Sequence, residues 1–454
     1  MTPDGLQASI EKMRAEGLGD AVVDTFAHYY EQLREGASGM LPESEIEPVE
    51  DLPALDDLPE GDPAIVDTAV VLKLNGGLGT SMGMTKAKSL IEAKQGETFL
   101  DIVVGQVLGL REHFGARLPL VLMNSFATRD DSLAALSRHP EIESDVPLDF
   151  LQNKVPKIDD DSLQPVTWER EPALEWAPPG HGDLYTALVS SGMLDTLLEH
   201  GYRYAFVSNS DNLGAVLDAR ILSWVAKEEL PFAMEVAGRT EADRKGGHIA
   251  RLRDDGLVLR ETAQTPEEDL ASLQDVGRHR YVNTNNLWVG LEALRDTLRE
   301  RDGVLGLPII VNRKTVDPSD AGSPAVVQLE TAMGAAIGVF EGARALHVPR
   351  RRFAPVKTTN DLLALRSDAY VLREDHRVEL APEREEPPVI NLDSEYYKLV
   401  GDFEPRFSAG PPSLAACERL TVTGDVTFGR DVVVRGAVMV QGPARIEDGT
   451  ILSE

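Results

Sequence analysis

The sequence predicts an α/β fold, a three-layer architecture on a mixed sheet, followed by a C-terminal parallel β-helix. Three observations predict it. From Ile65 onward, short apolar runs rich in β-branched residues alternate with stretches of helical periodicity. Several of those runs stop abruptly in glycine-rich or amide-rich loops, where open α/β sheets gather their ligands. Beyond residue 420 the apolar side chains instead recur every six residues.

Taken in order, Leu6, Ile10 and Met13, then Val22, Val23, Phe26, Tyr30 and Leu33, fall at helical spacing around a Gly17-Leu18-Gly19 break. Two amphipathic helices packed on the main body are expected. Residues 40–62 hold nine acids, several prolines and no base, which reads as a solvated, extended linker. Strands are expected at 69–74, 118–123, 148–151, 204–208, 232–236 and 287–289, with helices at 100–110, 184–198 and 328–337. At the C-terminus Val422, Phe428, Val434, Val440, Ile446 and Leu452 share one six-residue register, and Val426, Val432, Val438 and Ala444 share a second. Each coil would stack on the last to make an apolar column, here without a histidine and so suited to packing or assembly. The expected organisation is therefore 1–62, N-terminal helices and acidic linker; 63–375, catalytic domain; and 376–454, a left-handed parallel β-helix.

Composition narrows the function. With 45 basic and 76 acidic residues the formal net charge is −31, which disfavours nucleic-acid backbones and anionic membranes as partners. The one cysteine, Cys417, excludes an intrachain disulfide and suits a reducing compartment. No signal-peptide pattern opens the chain and no apolar run reaches the roughly 18 residues of a membrane span, so a soluble cytoplasmic protein is expected.

Against that negative background, residues 69–91 contain Lys73, Lys86 and Lys88 and no acid. The run ending at Leu74 breaks into Asn75-Gly76-Gly77-Leu78-Gly79-Thr80. Strand, glycine loop and lysines together propose a cradle for phosphate, because glycine lets backbone N–H groups approach an anion closely. The loop lacks the Gly-Lys-Ser/Thr of a Walker A motif, and Gly77, Gly79 and Gly83 miss the dinucleotide spacing.

Further candidates stand at the ends of other expected strands. Gln152 ends a strand with an amide that can both donate and accept. Pro178-Pro179-Gly180-His181-Gly182-Asp183 is a turn whose glycines clear space around His181, with Asp183 placed to cap the following helix. Asn209-Ser210-Asp211-Asn212 offers a carboxylate of the kind magnesium favours beside phosphate and water, or else a simple turn. Lys245-Gly246-Gly247 sets another lysine beside bare backbone, and Asn283-Thr284-Asn285-Asn286 supplies a cluster of amides able to bind a polar ligand, or else an Asn-rich turn. Lys357 follows an extended Pro355-Val356 step.

The segment 74–83, LNGGLGTSMG, followed by Lys88-Ser89, resembles the signature loop of the eukaryotic-type UTP–glucose-1-phosphate uridylyltransferase (UDP-glucose pyrophosphorylase) family. In the aligned position that family's Lys-Gly-Pro is Thr85-Lys86-Ala87 here, leaving Lys88 as the motif lysine. The resemblance continues through at least five separated motifs from about Val71 to Gly429. It implies a nucleotidyltransferase (Rossmann-like) fold and direct in-line attack of glucose 1-phosphate on the α-phosphorus of UTP, giving UDP-glucose and pyrophosphate. It also implies catalytic Lys88 and Lys357, Mg2+ on Asp211, and nucleotide contacts from Leu74, Asn75, Gly76, Gly77, Gly79, Thr80, Gln152, Gly180 and His181. Asn209, Glu235, Gly247 and Asn285 would face the sugar. The alternatives are the same chemistry on galactose or N-acetylglucosamine 1-phosphate, or a non-catalytic nucleotide-sugar scaffold. The β-helix would offer a surface for a homo-oligomer.

Overall fold

The computed structural model describes residues 4–253 and 256–453. Ten strands make the main sheet: β1 (Ile46–Pro48), β2 (Ala69–Asn75), β3 (Leu120–Asn124), β4 (Asp149–Leu151), β5 (Tyr204–Asn209), β6 (Phe232–Gly238), β7 (His248–Leu252), β8 (Leu257–Arg260), β9 (Tyr281–Gly290) and β10 (Arg344–Val348). The order is β1-β7-β9-β5-β2-β3-β4, with β8 beside β7 and β6 pairing both β9 and β10. β5, β2, β3 and β4 are mutually parallel, so their carboxyl ends share one edge. β9 runs antiparallel to β5 and β6, which makes the sheet mixed.

The apolar runs are continuous because both faces of the sheet are covered. Val70 and Leu72 join Val121, Met123, Ala205 and Val207 in one core, over which helices Leu184–Ser190 and Met193–Glu199 lie. Ala69 and Val71 turn the other way, to Leu120, Leu122 and Phe206, under helix Phe99–Phe114. That helix begins in a capping box between Thr98 and Asp101 and ends at Gly115 with φ +63°.

The two N-terminal helices form as expected, Gly5–Ala15 and Asp20–Arg34, and bury Met13, Val23, Phe26 and Tyr30 against Val155, Val327 and Leu329. Four local expectations give way. The acidic stretch is not a free linker: Ile46, Val49 and Leu55 are buried, and Ile46–Pro48 adds the edge strand β1 to β7. Residues 184–198 are two helices, broken at Gly192 with φ +75°. Residues 325–331 form a strand rather than the start of a helix; Val327 and Leu329 face the N-terminal helices, and only 333–338 turn as a short 3-10 helix. The asparagine-rich segment is no turn either, but lies within the ten-residue β9.

After residue 388 the strands are short and parallel: Val389–Leu392 pairs with Cys417–Thr423, and that with Gly436–Gln441. Pairs such as Leu420↔Val438, Val426↔Ala444 and Val433↔Ile451 lie eighteen residues apart, three six-residue periods. Val422, Val426, Phe428, Val432 and Val434 are all buried, in a core continuous with that under β2.

Candidate active site

The loop after β2 is held open by its neighbours. Gly79 and Gly83 adopt φ +64° and +75°, and the carbonyl of Gly79 accepts from Met82 N at 2.8 Å. Lys88 N donates to Gly77 O at 3.1 Å, which lays the root of the motif lysine along the loop. Lys88 Nζ then reaches Asp211 Oδ2 at 2.6 Å, across from β2 to the turn after β5. The strand ends themselves are adjacent, Asn209 registering with Leu74.

On the other side of the loop, Gly76 faces Gln152. A Cβ on Gly76 would fall 2.7 Å from Gln152 Oε1, so only glycine admits the carboxamide there. Gln152 Nε2 donates to Gly180 O at 3.1 Å, which leaves Oε1 free to accept from a ligand. Met333 N donates to His181 Nδ1 at 3.0 Å, so that nitrogen holds a lone pair and the ring proton sits on Nε2. Burial lowers the pKa of His181, and the imidazole is therefore a neutral donor at pH 7. Asp183 does not cap the helix: it accepts from Asn153 N at 2.6 Å and Asn153 Nδ2 at 3.0 Å, tying the Gln152 loop to the His181 turn. Burial pushes its carboxyl up to about 7 against those two bonds.

The third wall comes from β9 and its surroundings. A bulge between Glu235 and Val236 opposite β9 lets Asn285 adopt φ +58°, its N–H and Oδ1 bonded to the Asn283 carboxamide. Asn283 N donates to Gly247 O at 3.0 Å. Beside them stands Glu261, which the sequence reading missed: a Cβ on Gly247 would come within 2.8 Å of its Oε1. Burial raises the pKa of Glu261, opposed by Asn283 and by the nearby charge of Lys357. Lys357 is exposed, and the segment carrying it is attached to the Asp211 turn through Val356 N, which donates to Asp211 O at 3.1 Å. The signal for Glu261 was available, since it is an acid directly following a strand, as Asp211 nearly is.

Gly76, Gly77, Gly79, Thr80, Gln152, Gly180, His181, Asn209, Asp211, Lys88, Gly247, Asn285 and Lys357 thus lie along one connected rim at the carboxyl edge. Three others, Leu74, Asn75 and Glu235, are not presented there by their side chains. Asn75 is buried, donating to Asn124 Oδ1 and Ser132 Oγ, and Leu74 O accepts from Ser210 N. Glu235 is 0% exposed and saturated: Arg352 donates to both carboxylate oxygens at 2.6 and 2.7 Å, joined by Trp288 Nε1 at 3.0 Å and Asn286 Nδ2 at 3.1 Å. Lys73, part of the cationic window, points inward. Its Nζ donates to Ser208 Oγ and Ala215 O, and burial, aided by Arg352, lowers its pKa to about 7.

A divalent cation fits this rim at one place. Asp211 Oδ1 is buried with no hydrogen-bond partner, a hard oxygen left open beside the lysine-bound Oδ2. No group of three histidine, cysteine or acidic side chains able to hold a metal occurs among the described residues, so the remaining ligands would come from phosphate and water.

At the strand ends the rim brings together a glycine loop and the lysines Lys88 and Lys357, groups of the kind that suit a polyanion. A family model described as UTP–glucose-1-phosphate uridylyltransferase matches residues 23–435. Relatives of that description from Solanum tuberosum and Hordeum vulgare are each 41% identical over 414 and 413 residues, covering 89% of this chain and 84% and 83% of theirs. A crystal structure of a UDP-glucose pyrophosphorylase variant from Leishmania major in complex with UDP-glucose has a TM-score of 0.95 at 47% identity, covering 100% of this chain and 99% of that one. A crystal structure described as a UDP-glucose phosphorylase from Trypanosoma brucei has a TM-score of 0.92 at 47% identity, covering 99% of this chain and 98% of that one. The chain belongs to the UTP–glucose-1-phosphate uridylyltransferase family.

Proposed function

We infer that this chain converts UTP and α-D-glucose 1-phosphate to UDP-glucose and pyrophosphate. The observation that carries the reading is the convergence of the Gly76–Gly79 loop, Gln152, His181, Asp211, Lys88 and Lys357 on one rim, in a member of this family. A phosphate oxygen of glucose 1-phosphate attacks the α-phosphorus, the bond from that phosphorus to the bridging oxygen breaks, and its electron pair leaves on pyrophosphate. No protein nucleophile is required, so the work is positioning and charge.

Gln152 Oε1 accepts from the uracil N3–H, while the carboxamide is locked by its bond to Gly180. His181 donates from Nε2 to a phosphate oxygen, and the N–H groups of 76–80 cradle the chain of phosphates. Lys88 and Lys357 offset the charge that grows on the leaving group. Asp211 would hold Mg2+ through Oδ1; the bound ion supplies further positive charge to the phosphate oxygens. Asn209, the Gly247 backbone and Asn285 contact the glucosyl group, with Glu261 accepting from its hydroxyls. Glu235 serves this wall from beneath, by fixing Arg352 and Asn286.

The organisation proposed is 1–62, 63–375 and 376–454, the last a left-handed parallel β-helix, supported by the eighteen-residue pairing step. Exposed Met439 and Ile451 favour contact with a second copy through it. No helix among the described residues is long and apolar enough to cross a membrane, in keeping with a cytoplasmic enzyme. The deciding experiment is pyrophosphate release from UTP with glucose 1-phosphate, run beside galactose and N-acetylglucosamine 1-phosphates. Release with glucose 1-phosphate is expected to be fastest; no release with any of the three refutes the activity.

A further inference from the structure

We propose that Asn212 is a positioning residue that sets where Lys357 stands relative to Asp211 and Lys88; this rests on the reading of Lys357 given above. Asn212 is 1% exposed and its carboxamide is fully used. Nδ2 donates to Arg352 O and to Asn286 Oδ1, both at 3.2 Å. Oδ1 accepts from Ala354 N at 3.0 Å and from Gly214 N at 3.2 Å. One side chain therefore grips residues 352 and 354 of the segment leading to Lys357, and β9 one residue from Asn285. The backbone continues the grip, because Asn212 bridges Pro355 and Asp211 O accepts from Val356 N at 3.1 Å.

The consequence is geometric. Lys88 is hitched to this two-residue step through the Asp211 carboxylate, at 2.6 Å. Lys357 is hitched to the same step through Asn212 and the backbone, although the two lysines lie far apart in the chain. Two cations that must meet one triphosphate are thus referred to a single rigid point. Beneath it Lys73 ties Ser208 to Ala215, closing the base of the loop that carries the step. Asn212 touches no substrate in this arrangement; it acts through the lysine.

A double-mutant cycle tests this, read as kcat and KM for UTP in pyrophosphate release. Lys357→Ala is expected to lower kcat about a hundredfold, and Asn212→Ala about tenfold through misplacement. KM for UTP should move less than about threefold in Asn212→Ala, because the base and loop contacts stay intact. In the Lys357→Ala background, Asn212→Ala should cost nothing further. Multiplied losses in the double variant, or an Asn212→Ala defect confined to KM, overturn the proposal while leaving the overall activity standing. If Asn212→Ala does not fold, Asn212→Ser, which keeps a hydroxyl toward Ala354 N, carries the same cycle. Amide hydrogen exchange gives a readout independent of turnover: residues 350–358 should exchange faster in the variant and the Phe99–Phe114 helix unchanged. Unaltered exchange at 350–358 overturns the proposal, and absence of wild-type turnover would count instead against the activity itself.

Discussion

Replacing Lys88 by methionine keeps the length of the side chain and removes its charge, and the structure fixes what each observable should do. Lys88 and Asp211 pair at 2.6 Å with side-chain exposures of 16% and 20%, so the pair is largely shielded without being deeply buried. A hydrogen bond to a charged group contributes about 1.5–3 kcal/mol, and part of that is regained because the lysine no longer has to be desolvated. A net loss of about 1–2 kcal/mol is expected, which leaves a protein of ordinary stability, about 5 kcal/mol or more, almost entirely folded. The reaction loses more. A charge donor aimed at the leaving phosphate contributes about 2.7–4 kcal/mol to the barrier, a hundredfold to a thousandfold in kcat. Removing the cation also frees Asp211 Oδ2, so half-saturation by Mg2+ should occur at equal or lower concentration. Steady-state pyrophosphate release across a magnesium titration, with thermal unfolding on the same samples, checks all three. A kcat within threefold of wild type would refute the assignment. So would a melting temperature that collapses in step with activity, since Lys88 would then be a structural residue.

Gln152→Ala should raise KM for UTP and narrow the preference over CTP while kcat at saturation changes little; an unaltered nucleotide preference would remove Gln152 from the base pocket. Glu235→Gln removes both carboxylate bonds of the buried Arg352 guanidinium, leaving it only the longer-range attraction of Asp218, and should cost about 3–5 kcal/mol, read as a lowered urea midpoint, with near-normal stability as the contrary result. Lys73 carries a pH signature. Its folded pKa, about 7, lies below the ordinary lysine value of 10.5, so between those values the unfolded chain binds the extra proton and stability rises with pH. Urea unfolding at pH 7 and pH 9 should show wild-type stability minus that of Lys73→Met rising, by at most about 1.4 kcal/mol per pH unit; a difference that stays constant or falls would contradict a neutralised buried lysine.

What could be read from the sequence follows from how local each signal is. The glycine loop was legible because strand, break and loop are adjacent and each has its own chemistry. Asp211 was legible as an acid just beyond a strand. Glu261 obeys nearly the same rule and was overlooked because β8 is only four residues long and ends in Arg260 rather than glycine. Lys73 was counted with the loop lysines, yet parity gives it away: it shares a strand face with Ala69 and Val71, both buried. The resemblance set Glu235 against the sugar, and nothing local countered it, since its partners, Arg352, Asn286 and Trp288, lie fifty residues or more along the chain. Residues 328–337 looked helical because small residues satisfy a helix face, and the N-terminal helices that favour a strand there come from the far end of the sequence.

The formal charge of −31 bears on the approach of the substrates more than on their retention. At an effective dielectric constant near 20, a lysine 4 Å from a phosphate oxygen gains about 4 kcal/mol. The acidic surface acts from many times that distance, and at physiological ionic strength its field decays over about 8 Å. Repulsion therefore slows the encounter of UTP with the protein but would hardly oppose a triphosphate seated, as proposed, between Lys88 and Lys357. This is why the geometry of those two lysines, and of the Asp211–Asn212 step that sets them, outweighs the sign of the whole molecule.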